Sequence, residues 1–281
     1  MTAQERMIRL YDRALTAPDY RAYFDDSGFY NFGLWDGGAA TQREASEALI
    51  DELTGRIATK GGRILDVACG PGATTRRLMC SYEPANIAAI NISEAQLAVA
   101  RERAPGCSFS RMDAARLGFP DEHFDAVMCV EAAFHFDTRG KFLREALRVL
   151  KPGGTLVLTD MLFRAFMKPI GDFGQVPRAN FVPDAASYGK EFEAAGFEKV
   201  DVLDATQACL RGFSRHLGRW PLSQHRRGRM GLTKAIAASA VSRGIAQYFR
   251  IVCKAYLIAS AVKPPVPAPL EGASLRQAVM R

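Results

Sequence analysis

Arg63-Ile64-Leu65-Asp66-Val67-Ala68-Cys69-Gly70-Pro71-Gly72 is the segment from which the architecture can be read. Ile64, Leu65 and Val67 make a short apolar run that closes on Cys-Gly-Pro-Gly, the pattern of a strand entering a tight turn. A helix is predicted directly after it, from Thr74 to Met79. The same alternation then repeats. Asn86–Ile92 is predicted as a strand, and Ser93 as the N-cap of a helix running through Ala104. Phe109–Asp113 is short and extended, and Phe124–Val130 is a buried strand. A helix opening at Asp137 ends before Lys151-Pro152-Gly153-Gly154, where Pro and Gly cannot continue it, and Thr155–Thr159 is a strand again. Strands alternating with helices over about 100 residues imply βαβ units and a parallel sheet covered on both faces. The expectation is a doubly wound, Rossmann-like α/β fold. Ligands then bind outside the carboxyl ends of the strands, where the topology reverses.

Outside this block, residues 1–59 read as a helical cap interrupted by an aromatic stretch, Phe24–Trp35. The core is expected over 60–206, with a helix at Asp184–Ala195 and a strand at Lys199–Leu203. A helical, arginine-rich insertion follows over 207–249. A final core strand, Ala255–Val262, lies within 250–262, and the Pro-rich tail 263–281 is expected to be mobile.

The chain has 281 residues, 48% of them hydrophobic and 24% charged, which is ordinary globular composition and argues against disorder or a disulfide scaffold. No apolar run reaches the roughly 18 residues of a membrane span. The N-terminus lacks the basic-then-apolar layout of a secretory signal, so no membrane association is expected. Six scattered cysteines with no CxxC pair, and four histidines, give no zinc-ligand spacing. They read as reduced thiols in a cytoplasmic protein, and no metal is expected. The net charge of +7 is local: Arg211, Arg215, Arg219, Arg226, Arg227 and Arg229 fall in a stretch without an acid. That stretch is either a solvated helix face or an anion-binding surface.

The glycines of the 66–72 turn let the backbone approach a nucleoside closely, because no Cβ intrudes. The turn lacks the GxGxxG form that seats a pyrophosphate. Asp66 offers a carboxylate just ahead of it, suited to a cationic amino group or an ordered water. At this point the sequence resembles the class I S-adenosylmethionine-dependent methyltransferases. ILDVACGPGATT (64–75) is similar to their first motif and INISEAQL (90–97) to the second-strand motif. RMDAARLGFPDEHFDAVMCVEAAFHF (111–136) is similar to the adenine and fourth-strand region, and REALRVLKPGGTLVLTD (144–160) to the fifth-strand region. YNFGLWDG (30–37) with Asn91-Ile92-Ser93-x-x-Gln96 resembles, more narrowly, the branch of tocopherol-type, sarcosine-type and natural-product sugar methyltransferases. In that branch an N-terminal helical segment folds over the cofactor.

The resemblance implies a mostly parallel seven-stranded sheet with a helical cap and lid. It implies S-adenosyl-L-methionine as donor, S-adenosyl-L-homocysteine as product, and a small, specialised metabolite methylated at O, N or C. Asp66, Ala68, Gly70 and Gly72 would line the methionine and ribose side. Asn91, Ile92 and Gln96 would meet ribose and adenine, Asp113 and Ala114 the adenine ring, and Glu131 would border the methyl donor. Tyr30 and Trp35, with Tyr11 and Phe32, would cap the site. Ala68 stands where the family usually has glycine, and Asn91 where many members have an acid for the ribose hydroxyls. A neutral bond there is about half as strong as a charge-assisted one, so Gln96 would share the task. His135 is either the general base or a cap of the following helix. Glu131 is either a second base or a hydrogen-bond partner of the donor's amine. His216 and His225 are expected in solvent.

Several alternatives stay open. One is an isoprenoid or other anionic apolar acceptor held by the arginine-rich lid; another is a non-catalytic cofactor-binding subunit. A nicotinamide oxidoreductase also stays open. A nucleic-acid partner is not expected, because CVEA follows the fourth strand where a base-reading tetrapeptide would stand. A homodimer is compatible with all of these.

Overall fold

The computed structural model describes residues 3–170 and 176–265; residues 266–281 of the tail lie outside the described residues. A seven-stranded sheet runs in the order β3-β2-β1-β4-β5-β7-β6. Its strands are β1 (Ile64–Val67), β2 (Ile87–Asn91), β3 (Ser108–Arg111), β4 (Phe124–Val130), β5 (Leu150–Phe163), β6 (Glu198–Asp204) and β7 (Cys253–Val262). β3, β2, β1, β4 and β5 are parallel, and β7 inserts antiparallel between β5 and β6. β1 is buried along its whole length and β4 and β5 nearly so, as expected of strands covered on both faces.

The cap carries α1 (Ala3–Thr16), α2 (Pro18–Tyr23) and α3 (Gln42–Gly55). In the core, α4 (Ala73–Leu78), α5 (Glu94–Arg103), α6 (Arg139–Val149) and α7 (Ala185–Ala195) alternate with the strands. α8 (Gly212–Arg226) and α9 (Leu232–Val252) form the insertion ahead of β7. Ser93 N-caps α5 by accepting from the Gln96 amide, as the sequence suggests. The next helix starts later than Asp137, because Thr138 is its cap. β5 begins at Leu150, so Lys151–Gly154 joins the strand rather than forming a separate turn. Pro152 ends the helical pattern, but extended backbone accommodates it equally well.

A buried ion pair ties the strand ends to the helices above them. Arg139 Nε donates to Asp160 Oδ2 at 2.7 Å, Tyr188 Oη donates to the same oxygen at 2.9 Å, and Arg139 Nη1 donates to the Asn180 carbonyl. The Arg139 and Asp160 side chains are 1% and 0% exposed. Arg139→Leu leaves a buried carboxylate without its cation, which costs about 3–5 kcal/mol. The expected result is a drop in unfolding free energy of that order, read by urea denaturation; a loss under about 1 kcal/mol contradicts it.

Candidate active site

Strand order reverses between β1 and β4, so a crevice opens at their carboxyl ends. Each strand delivers a strained residue there. Ala68 (φ +59°) follows β1 and Glu131 (φ +50°) follows β4, both in the left-handed region. This explains the glycine usual at position 68: a Cβ at that φ costs about 1–2 kcal/mol.

A cavity of about 950 Å³ fills the crevice. Asp66, Ala68, Gly70, Asn91, Ile92, Gln96, Glu131, Tyr30 and His135 all contribute to its wall. Gly70 (φ +55°) leaves a cradle open to the cavity, since a Cβ there would meet nothing nearer than Gln96 Oε1 at 3.9 Å. Asn31 Oδ1, on the same wall, is buried without a hydrogen-bond partner.

Four of the expected residues sit elsewhere. Gly72 packs the turn against α5, where a Cβ would come within 2.8 Å of Ala100 Cα, and it is not part of the cavity wall. Asp113 is exposed and accepts from the Ala115 amide at 2.8 Å; neither it nor buried Ala114 is part of the cavity wall. Trp35 turns away from the cavity. Its indole donates to the Phe32 carbonyl at 2.8 Å and packs on His216, with ring centroids 4.5 Å apart. Phe32 stacks on Phe213 at 4.3 Å. Most of the YNFGLW aromatics therefore fasten the cap to α8 and leave Tyr30 on the cavity wall. Gly33 (φ +74°) is needed because a Cβ would collide with Ala45. His216 is not in solvent. It pairs with Tyr23 Oη at 3.1 Å, and burial pushes its pKa down to about 4.

The two carboxyls of the crevice are buried and hydrogen-bonded. Asp66 Oδ2 accepts from Thr75 Oγ1 at 2.7 Å. Glu131 Oε1 accepts from the Phe32 amide at 2.6 Å and from Tyr256 Oη at 2.7 Å. Desolvation outweighs these bonds and pushes each carboxyl up to about 7. Raised carboxyl values mean that the unliganded fold takes up protons between about pH 4 and pH 7. The contribution of these two groups to stability is therefore greatest below that window and falls as pH rises through it. A cationic ligand has the opposite dependence, because it favours the ionised carboxyls. Its affinity is expected to rise up to about tenfold per carboxyl per pH unit below pH 7, with proton release on binding. Calorimetry in two buffers of different ionisation enthalpy reads that release; affinity flat between pH 5.5 and 7.5 contradicts it.

Two features were not legible beforehand. Asp12, on α1, reaches over the end of β2. Its Oδ1 accepts from Ser93 Oγ at 2.9 Å and from Gln96 Nε2 at 2.7 Å. Asn91 is already engaged: Oδ1 accepts from the Ile92 amide and Nδ2 donates to Gln96 Oε1. The second feature is an apolar cavity of about 580 Å³, whose wall includes Phe134, Met161, Phe163, Phe181 and Val252. Tyr11 and His135 belong to both cavities, and their Oη and Nε2 lie 2.7 Å apart in a hydrogen bond. No residue of 211–229 contributes to either of these two cavities among the described residues.

Fold and crevice define a doubly wound α/β protein with a cavity at the strand ends beside a second, apolar cavity. A family profile described as "Methyltransferase domain" matches residues 65–158. The chain is 30% identical over 208 residues to erythromycin 3''-O-methyltransferase of Saccharopolyspora erythraea, covering 67% of each protein. It is 38% identical over 137 residues to 27-O-demethylrifamycin SV methyltransferase of Amycolatopsis mediterranei, covering 46% of this chain and 50% of that one. The chain thus matches about half the length of that relative. The crystal structure of the [4+2]-cyclase SpnF superposes with a TM-score of 0.68 at 28% identity, covering 94% of this chain and 98% of that one. The chain belongs to the S-adenosylmethionine-dependent methyltransferases, of the small-molecule kind.

Proposed function

We propose that this enzyme transfers a methyl group to a hydroxyl oxygen of an apolar specialised metabolite, with His135 as the general base. The observation that carries this reading is the Tyr11–His135 hydrogen bond, set where the donor cavity and the apolar cavity meet. When bound, the donor supplies an electrophilic methyl group on a sulfonium. Gly70 and Ala68 would let its adenosyl part lie against the backbone, Asn31 Oδ1 and Asp66 would accept from its ammonium, and Glu131 would border the sulfonium. An alcohol loses its proton as its oxygen takes up the methyl group, and an imidazole at the shared wall is placed to accept it. Tyr11 Oη orients that ring by accepting from Nε2–H, and Nδ1 is then the nitrogen that takes up the proton. Phe134, Phe163 and Phe181 exclude water from the acceptor side. The two relatives, erythromycin 3''-O-methyltransferase and 27-O-demethylrifamycin SV methyltransferase, support oxygen as the acceptor atom.

Asp12 would grip the ribose diol in place of the acid absent at position 91. Both of its described bonds use Oδ1, which leaves Oδ2 for a hydroxyl. Asp12→Asn is expected to weaken S-adenosylhomocysteine binding about tenfold, and Asn91→Asp in that background to restore most of it. Calorimetry checks both; a Kd unchanged by Asp12→Asn contradicts the assignment.

Six unpaired thiols, four of them buried, suit a reducing compartment such as the cytosol. No helix among the described residues is long and apolar enough to cross a membrane.

Incubation of the purified protein with methyl-labelled donor and a panel of hydroxylated polyketides and glycosides tests the function. Label recovered as a methyl ether in the acceptor supports it. The likeness to a [4+2]-cyclase favours a second reading, in which the donor is bound but the acceptor is rearranged. An acceptor changed in retention but not in mass would establish that reading and overturn the first.

A further inference from the structure

A cleft between α8 and α9 carries chemistry that methyl transfer does not use. The two helices pack side by side, and in such a seam the facing positions are ordinarily apolar. Here, Arg211 at the end of a π-helical turn is followed at the next turn by Ser214 and Arg215. Across the seam, Arg243, Ala246, Gln247 and Arg250 follow one another at helical spacing on α9. These residues, with Gln207, surround a cleft of about 1170 Å³ that shares no residue with the donor or acceptor cavity.

None of the four guanidiniums has an ion-pair partner among the described residues. Neither helix can supply one, because no acid occurs between Asp204 and Glu271. Ser214 is 7% exposed, and its Oγ is buried with no hydrogen-bond partner. Four like charges converging on a void beside an unpartnered buried hydroxyl are complementary to a multivalent anion. Guanidinium forks match phosphate oxygens two at a time. A diphosphate, with about three negative charges, suits four arginines better than a single phosphate or carboxylate does.

We propose that the α8–α9 cleft is a binding site for a diphosphate-bearing small ligand, separate from the catalytic centre. Arg211 and Arg215 would contact it from one side of the seam and Arg243 and Arg250 from the other. Gln207 and Gln247 offer neutral hydrogen bonds to whatever the diphosphate carries.

Titration calorimetry of the full chain at about 0.15 M salt tests this, with inorganic pyrophosphate, orthophosphate and adenosine diphosphate as probes. Saturable pyrophosphate binding, about tenfold tighter than orthophosphate, is the expected result. Adenosine diphosphate binding more tightly than pyrophosphate supports the site and marks its ligand as nucleotidic; equal binding supports it with the diphosphate alone recognised. Arg215→Gln with Arg243→Gln should weaken pyrophosphate about tenfold or more while S-adenosylhomocysteine affinity stays within about twofold. If that double variant does not fold, exposed Arg250→Gln alone should weaken pyrophosphate by about threefold. The proposal is overturned by absent saturation, by binding unchanged in the folded variants, or by competition between pyrophosphate and S-adenosylhomocysteine. Preferential uptake of single-stranded DNA over pyrophosphate also overturns it.

Discussion

His135→Ala is expected to lower kcat by about 10²–10⁴ while leaving the Kd for S-adenosylhomocysteine within a few-fold of its starting value. The imidazole sits on the wall common to both chambers and is held there by Tyr11 Oη at 2.7 Å. Removing it takes away the proposed proton acceptor and enlarges both cavities, but it touches none of the bonds that hold Asp66, Gln96 or Glu131. Tyr11→Phe should give a smaller loss in kcat, because the ring remains and only its orientation relaxes. A pre-steady-state comparison of the two variants checks this ranking. A His135→Ala enzyme with near-normal turnover would leave the histidine as a packing residue beside Phe134, its neighbour at 4.1 Å between ring centroids.

The second large effect falls on donor binding. Gly70→Val is expected to abolish it, a loss of at least about 100-fold in affinity, while the chain still folds. Gly70 adopts φ +55°, which a β-branched residue resists, and a side chain there projects into the cavity rather than into protein. Gly72→Val provides the contrast. Its Cβ would strike Ala100 backbone at 2.8 Å, so its principal expected effect is a lower Tm, with the loss of donor affinity secondary. Calorimetry and thermal unfolding on the two variants separate the roles. Wild-type affinity in Gly70→Val would reject the placement of the adenosyl group on this turn.

The contrast between the two glycines also shows how far the primary structure could be read. The alternation of strand and helix, the turn after β1 and the N-cap at Ser93 follow from local rules of periodicity, backbone freedom and capping. The chain declares such rules within a few residues. Asp66 was legible near the end of the first apolar strand and Glu131 directly after the fourth, and parallel strands end on one edge of the sheet. The extent of their elevated titration was not, because it follows from burial in the folded crevice, which outweighs the bonds from Thr75 to Asp66 and from Phe32 and Tyr256 to Glu131.

The aromatic run 30–37 shows the limit of such reading from the other side. Its residues suited a lid over a cationic donor, yet Phe32 and Trp35 pack against Phe213 and His216 on α8. Composition cannot distinguish the two outcomes, since an aromatic face satisfies either neighbour. Asp12 gave no local signal at all: a lone acid on an amphipathic helix is ordinarily solvated, and only the docking of α1 brings it to Ser93 and Gln96.

Local pattern therefore established the sheet, its order of motifs and the glycine turn after β1, because those depend on interactions between near neighbours along the chain. Folding in three dimensions settled which groups meet at the boundary of the two cavities, which arginines converge between α8 and α9, and how the crevice carboxyls titrate. Each of those depends on distance and desolvation between segments far apart in the chain, quantities that no spacing of residues encodes.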